Sequence, residues 1–218
     1  MQKKIKLLVS PKSLDEAKVV IESGVDYVDC KNPKEGSLGA NFPWIIRGMK
    51  KLIPNESPQL LSAAIGDFPH LPGSAALAAL GAAYSGADII KVGLMGPKNV
   101  EEGVDLMSKV VKSVKRFKSG VKVVVAGYAD HSRMNSSPDF LEIPVIANES
   151  GADIAMLDTY IKDDKNIFSF LDVTNLLEFK SLSRDLNLEV ALAGRLNFQH
   201  IERIKKISPD LIGVRSIV

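Results

Sequence analysis

Ser23-Gly24-Val25-Asp26, Ser85-Gly86-Ala87-Asp88 and Ser150-Gly151-Ala152-Asp153 repeat one phrase three times, and Ser208-Pro209-Asp210 is a shortened fourth copy. Each copy follows an amphipathic stretch and precedes a short apolar run. Glycine suits the left-handed residue that ends a helix before a strand begins, so each phrase reads as a helix-to-strand junction. Working outward from these junctions, runs rich in Val, Ile, Leu and Ala predict eight strands. They span Ile5–Ser10, Tyr27–Asn32, Leu61–Asp67, Ile89–Leu94, Lys122–Asp130, Ile154–Tyr160, Glu189–Arg195 and Leu211–Ile217. Seven helical candidates lie between them, among them Ser13–Ser23, Asn99–Phe117 and Phe198–Ile207. Ser13 is expected as an N-cap, with Glu16 completing a capping box.

Strictly alternating strands and helices predict an α/β protein with a parallel sheet. A doubly wound sheet could use the same junctions. Eight strands alternating with seven helices within 218 residues predict a (β/α)₈ TIM barrel, a single domain over residues 1–218. The eighth helix is absent from the sequence. An uncovered parallel strand would expose apolar surface, so a C-terminal tail is expected beyond Val218.

A hydrophobic fraction of 45% and a charged fraction of 25% exclude the disordered and membrane-spanning classes. The net charge of +2 lacks the lopsided field of a protein that tracks nucleic-acid backbone. Lys3, Lys4 and Lys6 precede an apolar run too short for a signal peptide, so a cytoplasmic location is expected. A lone Cys30 excludes an internal disulfide, and His70, His131 and His200 lack ligand-like spacing. No metal and no cofactor is expected. Phe42, Trp44, Phe168 and Phe170 read as helix-face packing.

Strand side chains alternate with period two, so residues three and five positions after each junction Asp should share a face. That ruler picks out a deeper ring of Asp29, Lys91, Met156 and Gly213. A second ring, nearer the carboxyl ends, holds Lys31, Gly93, Asp158 and Arg215. In a closed barrel alternate strands fill one interior layer, ordinarily with branched apolar side chains. Here the layers hold two lysines, two aspartates and an arginine. Buried charges must pair or shift their pKa, and both outcomes suit catalysis. An outward-facing lysine in Ile89-Ile90-Lys91-Val92 would also be covered by helices, and the aspartates could simply neutralise the lysines. A lysine attacks a carbonyl only when unprotonated, a form favoured by desolvation or a neighbouring cation. Lys31 and Lys91 are therefore candidates for Schiff-base chemistry, with Asp29 and Asp158 moving protons.

Ser10, Asp67, Asp130 and Arg195 lie at the other strand ends, where barrel enzymes keep their active sites. Gly194 with Arg195, and Gly213 with Arg215, give the small-residue and guanidinium combination that a phosphate site needs.

Several segments together resemble the (5-formylfuran-3-yl)methyl phosphate synthase family. They are Leu7-Leu8-Val9-Ser10-Pro11, the run from Asp29 to Ala40, Lys91-Val92-Gly93-Leu94, Ala126-Gly127-Tyr128-Ala129-Asp130, Ala155-Met156-Leu157-Asp158-Thr159 with Ile161-Lys162-Asp163, and Ala191-Leu192-Ala193-Gly194. The resemblance implies a barrel that condenses two molecules of glyceraldehyde 3-phosphate in methanofuran biosynthesis, releasing phosphate and water. It implies Lys31 as the Schiff-base lysine, Lys91 as proton acceptor, and Asp29, Asp158 and Lys162 as assisting groups. Family members continue past the Gly-Val-Arg of the last strand with a glycine-rich basic segment and a final helix, which this sequence does not contain. The expected partner is a small triose phosphate, with no nucleic acid and no membrane, and homo-oligomer formation is left open. Two alternatives stand: another Schiff-base, class I aldolase-type barrel acting on a sugar phosphate, and a noncatalytic phosphate-ligand binding protein.

Overall fold

The four junction phrases perform one structural task at the amino-terminal rim of a closed parallel barrel. The computed structural model describes residues 4–215. Within them, strands β1 (Lys6–Val9), β2 (Tyr27–Cys30), β3 (Leu60–Asp67), β4 (Ile89–Gly93), β5 (Lys122–Tyr128), β6 (Ile154–Asp158), β7 (Glu189–Leu192) and β8 (Leu211–Val214) pair in chain order. β8 closes the barrel by pairing parallel with β1. The helices α1 (Leu14–Glu22), α2 (Pro43–Leu52), α3 (Pro72–Tyr84), α4 (Val100–Phe117), α5 (Glu142–Ser150), α6 (Val173–Asp185) and α7 (Ile201–Ile207) connect them. These eight strands and seven helices among the described residues make the TIM-type barrel expected from the sequence. Ser216 and Ile217, placed at the end of the last predicted strand, and Lys3 lie outside the described residues.

At three junctions the left-handed residue is glycine, with φ of 75° at Gly24, 107° at Gly86 and 76° at Gly151. At the fourth, Ser208 takes that conformation itself, at φ 51°. The shortened phrase keeps the turn and accepts the strain of a side chain there. The Asp that follows turns back onto the preceding strand. Asp26 accepts the backbone N–H of Leu7 at 2.9 Å, Asp88 that of Leu61 at 3.0 Å, Asp153 that of Val123 at 2.7 Å and Asp210 that of Val190 at 2.9 Å. A cation from further back meets each carboxylate: Lys4, Lys50 of α2, Lys115 of α4 and Arg184 of α6. Every odd strand is thus tied to the even strand after it by the same pair of contacts.

Ser13 caps α1 by accepting from the Glu16 N–H at 3.1 Å. Glu16 does not complete a capping box; its carboxylate accepts from the Lys12 N–H, one residue earlier than the motif requires. The aromatic residues divide. Phe168 and Phe170 pack against the core, whereas Phe42 and Trp44 stack on each other, 48% and 65% exposed.

Two apolar cores result. One fills the space between strands and helices, and the other fills the barrel interior from Tyr27, Ile89, Ile154 and Leu211 upward. Above these large side chains the odd strands contribute Ala64, Ala126 and Ala193, with Ser10 at the corresponding end of β1. Small side chains there leave space at the carboxyl end of the barrel.

Candidate active site

That space is a cavity of about 520 Å³. Asp29, Lys91, Met156 and Gly213 lie deep in its lining, and Lys31, Asp158 and Arg215 stand nearer its mouth, as the two-ring register anticipates. Lys162, Gly194 and Arg195 line the same cavity, as does Ser10, whereas Asp67 and Asp130, also singled out at strand ends, do not. Gly93, the fourth member of the outer ring, does not; a Cβ there would overlap the Asp67 carboxylate and the Tyr128 hydroxyl. Its missing side chain makes room for a 2.7 Å hydrogen bond donated by Tyr128 to Asp67. Asp130 is likewise turned to structure, accepting the backbone N–H groups of Tyr160 and Ile161.

The loop after β2 folds back over the barrel. Leu38 is fully buried in the interior cluster, and Ser37 donates to the Thr159 carbonyl at 2.9 Å, joining the loop after β2 to the end of β6. Gly39 lies so close to the Asn32 and Glu35 backbone that a Cβ would not fit. The loop thereby bridges the β2 wall that carries Lys31 and the β6 wall that faces it across the barrel.

Asp29 and Lys91 are almost wholly buried, at 0% and 2% exposure. Lys91 Nζ lies 2.7 Å from each carboxylate oxygen, its directed hydrogen bond going to Oδ2. Burial pushes the Asp29 carboxyl up. The facing charges of Lys91 and Lys31, with hydrogen bonds from Lys91 and Ser10, outweigh it and hold the group below the usual carboxylate range. Burial pushes Lys91 down from the ordinary lysine value; Asp29 opposes this and Lys31 reinforces it. Asp158 is similarly raised by burial and brought below its ordinary value by Lys162, Lys31 and the Thr159 N–H. Lys162 Nζ is 3.1 Å from Asp158 Oδ1 and 2.5 Å from the Thr159 carbonyl. Lys31 is half-buried and forms no ion pair within 4.0 Å among the described residues. Burial raises the Cys30 thiol to about 12, leaving it a packing residue rather than a nucleophile.

Across the described lining, six basic side chains face two acidic ones, although the whole chain carries only +2. The excess positive charge of the molecule is therefore gathered at this cavity. Arg195 adopts φ 53°, rare for a residue with a side chain, directly after Gly194 at φ 97°. Among the described residues, no group of His, Cys, Asp or Glu could hold a metal ion, and no helix is long and apolar enough to cross a membrane.

The 4-HFC-P synthase family model matches residues 7–218. The chain belongs to this family. The (5-formylfuran-3-yl)methyl phosphate synthase of Archaeoglobus fulgidus is 52% identical over 215 residues, covering 98% of this chain and 90% of the relative. That of Methanosarcina mazei is 48% identical over 214 residues, with the same shares. Among solved structures, the barrel superposes on thiamine phosphate pyrophosphorylase from Pyrococcus furiosus with a TM-score of 0.61 at 17% identity, covering 100% of this chain and 88% of that one, a likeness of fold. The chain is therefore an enzyme of the 4-HFC-P synthase family, built on a TIM-type barrel.

In this synthase-family site, three polar lining side chains were not among the sequence-based candidates: Lys12, Ser37 and Tyr160. Lys12 stands two positions after Ser10, so extending the alternation past the odd strand ends would have reached it. Ser37 and Tyr160 sit in loops, where no period gives a side-chain direction. Lys122 pairs with Glu189 at the amino-terminal ends of β5 and β7, away from the cavity.

Proposed function

We propose that this enzyme condenses two molecules of glyceraldehyde 3-phosphate into (5-formylfuran-3-yl)methyl phosphate through an imine on Lys31. The observation that carries the reading is a cavity-facing lysine without a salt bridge, set beside a second lysine that is buried and paired. An amine must be unprotonated to add to an aldehyde, and an ammonium locked to a carboxylate is a poor candidate. Of the described lysines of the lining, Lys31 and Lys12 lack that restraint, and Lys31 is the half-buried one, directly after β2, whereas Lys12 is exposed.

Lys31 Nζ would add to the aldehyde carbon of the first triose phosphate, and loss of water from the carbinolamine gives the imine. Lys91 then removes the proton on the adjacent carbon to form an enamine, with Asp29 steadying the ammonium created. The enamine carbon attacks the aldehyde of the second molecule. Asp158 and Lys162 stand on the opposite wall to deliver and withdraw protons during this addition and the later eliminations. Ring closure, release of one inorganic phosphate and net loss of two waters balance the atoms of the furan product. Gly194 and Gly213 let backbone approach a phosphate, while Arg195 and Arg215 supply its counter-charge. Support for an anionic substrate comes from the predominantly basic lining, and support for this product from the names of the relatives. We take the pathway served to be methanofuran biosynthesis, as the sequence resemblance implies.

Incubation with glyceraldehyde 3-phosphate should release inorganic phosphate in equal amount to a new conjugated furan aldehyde, followed by ultraviolet absorbance and product mass. Lys31→Ala should abolish both. Furan formation at the wild-type rate by Lys31→Ala would overturn the assignment, and release of phosphate without a furan would point to a different sugar-phosphate reaction.

A further inference from the structure

Asp29 receives a second hydrogen bond that the proposed chemistry has not used. Ser10, 5% exposed at the end of β1, donates from Oγ to Asp29 Oδ2 at 2.8 Å. That oxygen also accepts from Lys91 at 2.7 Å. Ser10 lines the cavity, and its backbone N–H is fixed to the Val214 carbonyl of β8 at 3.2 Å. Three odd strands place alanine in this small-residue layer, as Ala64, Ala126 and Ala193, and only β1 places a hydroxyl there. Space alone therefore does not call for serine.

We infer that Ser10 is a positioning residue for the reaction, fixing the Asp29 carboxylate so that Lys91 keeps its orientation when it changes protonation state. This rests on the Lys31 imine reading given above. While Lys91 is an ammonium, charge attraction alone would hold Asp29 in place. Once Lys91 is the neutral amine that accepts a substrate proton, that attraction is gone, and the Ser10 hydroxyl remains as a directed donor to Oδ2. It also spreads part of the carboxylate charge, so that Asp29 does not hold the Lys91 proton too tightly. The charged groups facing Lys91 are Asp29 and Lys31 from the β2 side and Asp158 from β6. Only Asp29 among them touches Ser10 in the described hydrogen bonds.

Ser10→Ala and Ser10→Thr separate this role from packing. Alanine already fills the layer on three other strands, so Ser10→Ala should keep the wild-type thermal midpoint within a few degrees. Its kcat should fall roughly 10- to 100-fold, the effect of losing a hydrogen bond to a charged group, with KM changed less than about twofold. The ascending limb of its kcat against pH should move to higher pH, because a less neutralised Asp29 holds the Lys91 proton more tightly. Ser10→Thr, which keeps the hydroxyl, should restore both. Wild-type kcat with an unmoved limb in Ser10→Ala would overturn the inference, as would equal losses in Ala and Thr with no pH change. Borohydride reduction of the Ser10→Ala and wild-type enzymes with substrate should give a Lys31 adduct in both. Absence of the adduct from wild type would overturn the imine reading and the Ser10 role with it, whereas its presence beside an unaffected Ser10→Ala would overturn the Ser10 role alone.

Discussion

Lys91 and Asp29 hold each other inside the barrel chiefly because either charge left alone would be costly. Lys91→Ala should therefore lower stability by about 3–5 kcal/mol in chemical denaturation, the scale for removing one partner of a buried pair. Lys91→Met combined with Asp29→Leu removes both charges, so it should recover most of that stability and no turnover. Full recovery of turnover in the double variant would mean that the pair is only structural. The two shifts act on stability in opposite parts of the pH scale. Asp29, lowered from 3.8, contributes stability that is present above that value and lost as pH falls through its folded pKa. Lys91, lowered from 10.5, binds its proton less well in the folded state, so stability rises with pH between its folded pKa and 10.5. The same shift gives turnover an ascending limb with its midpoint below 10.5, measurable as kcat against pH. A limb at or above 10.5 would contradict a proton-accepting Lys91.

At the scale of the elements, the junction aspartates decide how strands and helices meet. Asp153 accepts the Val123 N–H and two hydrogen bonds from Lys115, so Asp153→Ala strands a backbone donor as well as breaking an ion pair. The loss should be about 1–3 kcal/mol, dominated by the unsatisfied N–H because the ion pair is partly solvated. Val123 should then exchange its amide hydrogen faster than the flanking strand residues. This repetition is also why so much of the barrel was legible in the sequence. Asp26, Asp88, Asp153 and Asp210 occupy equivalent places, and counting from them brought Asp29, Lys91, Asp158 and Arg215 onto one cavity. The count loses force where the backbone leaves the ladder. β3 shifts register between Ala64 and Asp67, so Asp67 departs from the simple alternation and pairs with Tyr128 instead. Leu38 and Ser37 enter the site from a loop, and Lys162, four residues beyond Asp158, came from family resemblance and not from strand period.

Over the whole molecule, a nearly neutral chain concentrates positive charge at the carboxyl end of a barrel whose upper interior is lined with small residues. Inorganic phosphate should therefore compete with substrate and raise the thermal midpoint in proportion to the logarithm of its concentration once the site is mostly filled. Arg195→Ala or Arg215→Ala should weaken both effects, and unchanged competition in both variants would move the phosphate site elsewhere. The central claim is that Lys31 becomes covalently bound to the substrate. Borohydride reduction in the presence of glyceraldehyde 3-phosphate, followed by intact mass and peptide mapping, tests it most directly. The account predicts one reduced adduct on the peptide containing Lys31, absent from Lys31→Ala. An adduct confined to Lys91 or Lys162, or none under turnover conditions, would contradict it.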